Sequence, residues 1–199
     1  MKIKIKTNLI LLLIASAFSM LGCQKDDPKK PIANTPQEQI TTVILKGFNH
    51  DVPSDSLHQF IIKWEDLDGD GGNPPSIDSL ILDTGFEYHI NLIIIDKTKT
   101  PFDTLSKEIE NLKNVHQFFF TPSSELEGKM EVEIDEFDNN NPPLPFGMEV
   151  HLRITSDTLY KLPVVGKLNI VLSHYDGIPK TAKPSPESDI DINIPVRLK

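Results

Sequence analysis

From Ile40 to the C-terminus, apolar residues recur at alternate positions in short runs broken by Gly, Pro, Asn and Asp. A period of two puts every second side chain on one face of an extended strand, so such runs build sheets with one apolar and one wet face. Tyr88, Ile90, Leu92 and Ile94 alternate with Glu87, His89 and Asn91. Met130, Val132 and Ile134 alternate with Glu131, Glu133 and Asp135, and Met148, Val150, Leu152 and Ile154 with Glu149, His151 and Arg153. Strands are predicted at 41–48, 58–64, 79–82, 87–96, 116–121, 129–135, 147–155, 167–174 and 189–198. Helical spacing is found at 103–114, where Leu105, Ile109 and Leu112 share a face and Asp103 is placed to cap the N-terminus.

Many short strands, frequent turn signals and a single helix predict a mainly β fold. The expected form is an immunoglobulin-like antiparallel β-sandwich over residues 40–199, with the helix crossing between its sheets. These are about 160 residues, enough for one domain with a sizeable core.

The first 22 residues have a different character. Lys2, Lys4 and Lys6 precede an uncharged apolar run from Leu9 to Leu21 that ends at Gly22, which is the order of a secretory signal. A spanning helix needs roughly 20 apolar residues, so this shorter run suits export better than anchoring. Cys23 follows immediately and is the only cysteine, which excludes an intramolecular disulfide. Met20-Leu21-Gly22-Cys23 resembles the lipobox of bacterial lipoproteins, with Met where Leu is usual. That resemblance implies cleavage before Cys23, lipidation of its thiol with palmitate-class acyl chains, and an outer-membrane anchor, since acyl chains supply about 0.8 kcal/mol per buried methylene. Residues 23–39, with Pro28, Pro31 and Pro36 among charged and small residues, read as an extended tether. Gln24-Lys25-Asp26-Asp27 fits two readings: it resembles a surface-export signal of some Gram-negative lipoproteins, which would put the domain at the cell surface, and it is equally the solvated start of a linker.

The whole chain carries a formal charge of -9, and loss of the three lysines before Cys23 makes it -12. So acidic a surface makes nucleic acid an unexpected partner and favours cations without naming one.

Two constellations are candidates for chemistry. Asp66, Asp68 and Asp70, followed by Gly71, reproduce the start of a calcium loop. The twelfth position is Ile77 where an EF-hand has Glu, so the choices are a looser calcium loop or an Asx-rich turn. His116 shares strand parity with Phe118 and Phe120, and His174 with Leu168, Ile170 and Leu172, so both face the apolar side at a strand end. With a carboxylate such as Glu65 or Asp176 they could hold zinc or copper, and the alternative is hydrogen-bonded histidines at the rim of the core. His89 and His151 have polar-face parity and are expected in solvent. GxSxG, Walker and GxGxxG signatures are missing from the sequence, and a reactive cysteine would be used up by lipidation, so no enzyme is expected.

Trp64-Glu65-Asp66 with Asp68-Gly69-Asp70-Gly71-Gly72-Asn73, His116-Gln117-Phe118-Phe119-Phe120-Thr121-Pro122, and Glu187-Ser188-Asp189-Ile190-Asp191-Ile192 together resemble one family. It comprises small outer-membrane lipoproteins labelled "type 1 periplasmic binding fold superfamily", commonly encoded beside TonB-dependent receptors. Where those proteins carry a His-Glu-Pro run this chain has His174-Tyr175-Asp176. The label's fold needs strands alternating with helices in two lobes, which the period-two pattern does not provide. The resemblance implies a receptor accessory that captures or presents a nutrient, with metal capture as the version that uses His116, His174 and the acidic loop.

Overall fold

The computed structural model describes residues 39–69, 71–156, 160–175 and 177–199. The expected signal segment, Cys23, the tether up to residue 38, Asp70 and Asp176 lie outside the described residues.

Among the described residues the fold is mainly β, two sheets with one α-helix between Thr104 and His116. The larger sheet holds β1 (Thr42–Asn49), β2 (Gln59–Glu65), β3 (Ser76–Ile77), β5 (Glu87–Asp96), β6 (Asp103–Thr104), β8 (Met130–Glu133) and β9 (Glu149–Ile154). Its order is β3-β2-β1-β5-β9-β8, with β6 on the free end of β5. The smaller sheet, in the order β4-β11-β10-β7, holds β4 (Leu80–Leu82), β7 (His116–Pro122), β10 (Val164–His174) and β11 (Ser188–Leu198). Every pairing is antiparallel except β4 on β11.

Alternation does what period two requires. Tyr88, Ile90, Leu92 and Ile94 of β5 are buried, as are Val150, Leu152 and Ile154 of β9, and they join Leu168, Ile170, Leu172, Ile190, Ile192 and Ile194 in a single core. Burying such a side chain yields roughly 1.5–3 kcal/mol, so the shared core is the main stabilising term.

The helix α1 is shorter than the pattern predicts, Ser106–Asn111 rather than 103–114. Asp103 does not cap it; Leu105 holds that position and supplies no side-chain bond. The reason is the edge of β5, which captures the segment first: Thr104 and Asp103 pair with Ile95 and Asp96, and Ile94 N–H donates to Ser106 Oγ at 2.9 Å. Leu105 and Ile109 are buried as their spacing requires, and α1 carries the chain from the larger sheet to β7 of the smaller. Among the described residues no helix is long and apolar enough to cross a membrane.

Candidate metal centre

β7 and β10 run antiparallel in a register that sets His116 directly opposite His174. Opposed side chains on one face have Cβ atoms about 5 Å apart, which brings the two imidazoles together, and their ring centroids are 4.6 Å apart. A third group arrives from β11. Leu172 pairs with Ile190 and Ser173 with Ser188, so Asp189 is an extra residue in the ladder, a β-bulge. A bulge re-aims the side chain of its extra residue. Asp191 and Asn193, two and four residues on, are exposed, whereas the Asp189 side chain is fully buried.

Asp189 Oδ2 lies 3.3 Å from His116 Nε2, and its Oδ1 lies 3.4 Å from His174 Nδ1. The three side chains are 0%, 5% and 0% exposed for His116, His174 and Asp189. His116 Nδ1 is 3.2 Å from the Leu112 carbonyl just beyond α1, which can only accept, so Nδ1 carries a proton and Nε2 faces the carboxylate. Among the described residues Nε2 of His116 makes no hydrogen bond, and neither does Nε2 of His174. Buried nitrogens without partners cost about 1–3 kcal/mol each. A cation between His116 Nε2 and Asp189 removes that cost at His116, while the His174 nitrogen nearest the carboxylate is Nδ1.

The dimensions agree with such an ion. One ligand atom from each of His116, His174 and Asp189 can be chosen so that all lie within 4.8 Å of one another. Ligands about 2.05 Å from a tetrahedral ion sit about 3.3 Å apart, close to the separation of each ring nitrogen from its own oxygen of the Asp189 carboxylate. The Leu112 carbonyl plays the outer-shell part usual for a ligating imidazole, fixing tautomer and ring plane. Two nitrogens and a carboxylate suit zinc, copper(II) or iron(II), and not calcium, which takes oxygen ligands only.

The acidic loop between β2 and β3 is built differently. Asp66 Oδ1 accepts from Gly69 N–H at 2.8 Å, and Asp68 Oδ2 accepts from Asn73 N–H at 3.0 Å and from the Asn73 amide at 2.7 Å. The two Asn73 bonds hold the Asp68 carboxyl below the usual range. These are the bonds of an Asx-rich turn, and Gly69 takes the positive φ of 72° that the turn needs. Neither Asp66 nor Asp68 belongs to a group of described residues able to hold an ion, and Asp70 lies outside them.

Glu65 does not supply the carboxylate for His116 and His174. It is engaged by Lys63 Nζ at 2.7 Å, by Lys97 Nζ and by Thr42 Oγ1, and the first two contacts pull its pKa down to about 2. Asp189 was hidden from strand parity because the bulge reverses its face; the one sequence signal was its place in the closing Glu187-Ser188-Asp189 segment. His89 and His151 depart from their expected solvent exposure. They are paired across β5 and β9, half-buried in a polar network, and burial pushes the His89 imidazole below its ordinary value.

Set beside protein-family models, curated proteins and solved structures, the chain finds a match in none of the three.

Proposed function

We propose that the chain is a lipid-anchored envelope module that binds one divalent transition-metal ion, as an accessory to a TonB-dependent outer-membrane receptor in metal capture. The observation that carries the metal is the convergence of buried His116, His174 and Asp189, with His116 Nε2, 3.3 Å from the carboxylate, lacking a hydrogen bond among the described residues. Anchor and receptor rest on the sequence of residues 20–23 and on the family resemblance.

Elemental analysis of the full chain purified from its own envelope tests this. After passage over a weak chelator, one zinc or copper per chain is expected, falling to zero in the His116→Ala, His174→Ala double variant. A metal-free protein that also fails to bind Zn²⁺ and Cu²⁺ in a titration overturns the reading.

The near-complete burial of all three side chains favours a second reading. Closed sites are the mark of structural ions. On that reading the ion ties β7, β10 and β11 together and the module docks on another envelope protein without a small ligand. Exchange of bound zinc for ⁶⁷Zn within minutes supports capture, while exchange only on unfolding supports the structural role.

A further inference from the structure

A second group of ligating side chains lies on the outer face of the larger sheet, where three strands deliver three histidines and a glutamate. β5 and β9 set His89 opposite His151 and Glu87 opposite Arg153. β1 ends beside β5, and the next residue, His50, donates its N–H to the Glu87 carbonyl at 2.8 Å. The His151 ring sits between those of His50 and His89, at centroid distances of 4.9 and 5.0 Å and edge-on to both.

From this geometry we infer that His50, Glu87 and His151 form a second, solvent-accessible site for a divalent transition-metal ion, with His89 as the group that orients His151. One ligand atom from each of His50, Glu87 and His151 can be chosen so that all lie within 4.8 Å of one another. The carboxylate is divided between tasks: Arg153 Nε binds Glu87 Oε2 at 3.1 Å, while Oε1 faces His151 Nδ1 at 3.0 Å. Asp51 Oδ1 stands 3.4 Å from His50 Nδ1 and steadies that ring as an outer-shell carboxylate does.

Without an ion, His151 Nδ1–H donates to the Glu87 carboxylate, which can only accept, and in the neutral ring Nε2 then accepts from His89 Nδ1–H, 3.3 Å away, with Asp135 Oδ2 at 3.8 Å. An ion between His151 and Glu87 takes the Nδ1 lone pair. The His151 proton then sits on Nε2 and is donated to His89 Nδ1, and the His89 proton moves to its own Nε2, 3.9 Å from Glu149 Oε2. Each ring holds one proton before and after, so loading requires only a change of tautomer. The His50 side chain is 48% exposed and His151 14%, which leaves the remaining coordination positions to water. An ion there exchanges quickly, in contrast to one held by His116, His174 and Asp189.

The test is a Zn²⁺ titration of the full chain in detergent, before and after passage over a desalting column with a weak chelator. Two equivalents are expected, one removed by the column and one retained. His50→Ala, a change at an exposed side chain, should abolish the removable equivalent and spare the retained one, and Asp189→Ala should do the reverse. His89→Ala should weaken the removable equivalent about 10- to 100-fold without changing its stoichiometry. Ni²⁺ added to ¹⁵N-labelled protein should broaden the His50 and His151 resonances first. A removable equivalent that persists in His50→Ala, or Ni²⁺ broadening that spares both rings, overturns this site while leaving the buried one standing. Failure of the retained equivalent alone overturns the buried centre and leaves this one.

Discussion

Asp138 and Lys180 show what single residues contribute away from either cluster. Both side chains are almost wholly buried and meet at 2.9 Å, with Leu144 and Asn140 N–H groups donating to Asp138 and the Lys113 carbonyl accepting from Lys180. The pair fastens the segment after β8 to the one after β10. Removing one partner strands a buried charge, so Asp138→Asn should cost about 3–5 kcal/mol in urea unfolding, and a loss below 1 kcal/mol would contradict the assignment. Glu65 is a milder case because solvent reaches its lysine partners. Folding lowers its pKa from an ordinary 4.5 to about 2, so the folded state binds that proton less tightly than the unfolded one. The stabilisation is whole above about pH 5 and is lost as pH falls toward 2. Glu65→Gln should therefore cost about 1 kcal/mol at pH 7 and almost nothing at pH 2, measured as midpoints at the two pH values. At Gly166, in the ladder of β10, an added Cβ would sit 2.7 Å from Leu126 Cγ and 2.8 Å from Ser123 Oγ. Gly166→Ala should destabilise by about 1–3 kcal/mol through overpacking, with the urea midpoint as the readout.

Among the elements, those with long periodic runs are legible in the sequence. β5 spans the predicted 87–96, and the others with a predicted run match it to within three residues at each end. β3 and β6 were not legible, because two residues cannot display a period and their pairing is decided by the strands they meet. The same competition shortened α1. Ile109, fully buried beneath it, should lose about 2–5 kcal/mol on replacement by Ala, and a loss under 1 kcal/mol would mean that α1 is not packed as described. The site divides in the same way. His116 and His174 were readable because parity survives along an unbroken strand, whereas the bulge at Asp189 inverts parity locally and leaves no trace in hydrophobic pattern. Deleting Asp189 should restore a continuous ladder. Its expected signature is unchanged or higher stability without metal, together with lost zinc retention, checked by melting the two proteins with and without Zn²⁺.

On the scale of the whole molecule, the two ligand clusters occupy different sheets and share no residue, so their occupancies should be separable by substitution. The order of the smaller sheet bears on when the buried one can exist. His116 comes with β7, His174 with β10 and Asp189 with β11, which lies in the interior of its sheet between β10 and the parallel β4. Three strands far apart in the chain must be in register before the ligand set is complete, and the latest of them in sequence carries the carboxylate. A half-folded chain therefore offers at most a pair of histidines, a weak competitor for any ion. On the proposed reading, the metal inventory of the compartment where folding finishes, more than the relative affinities of the ligands, decides which ion is sealed inside.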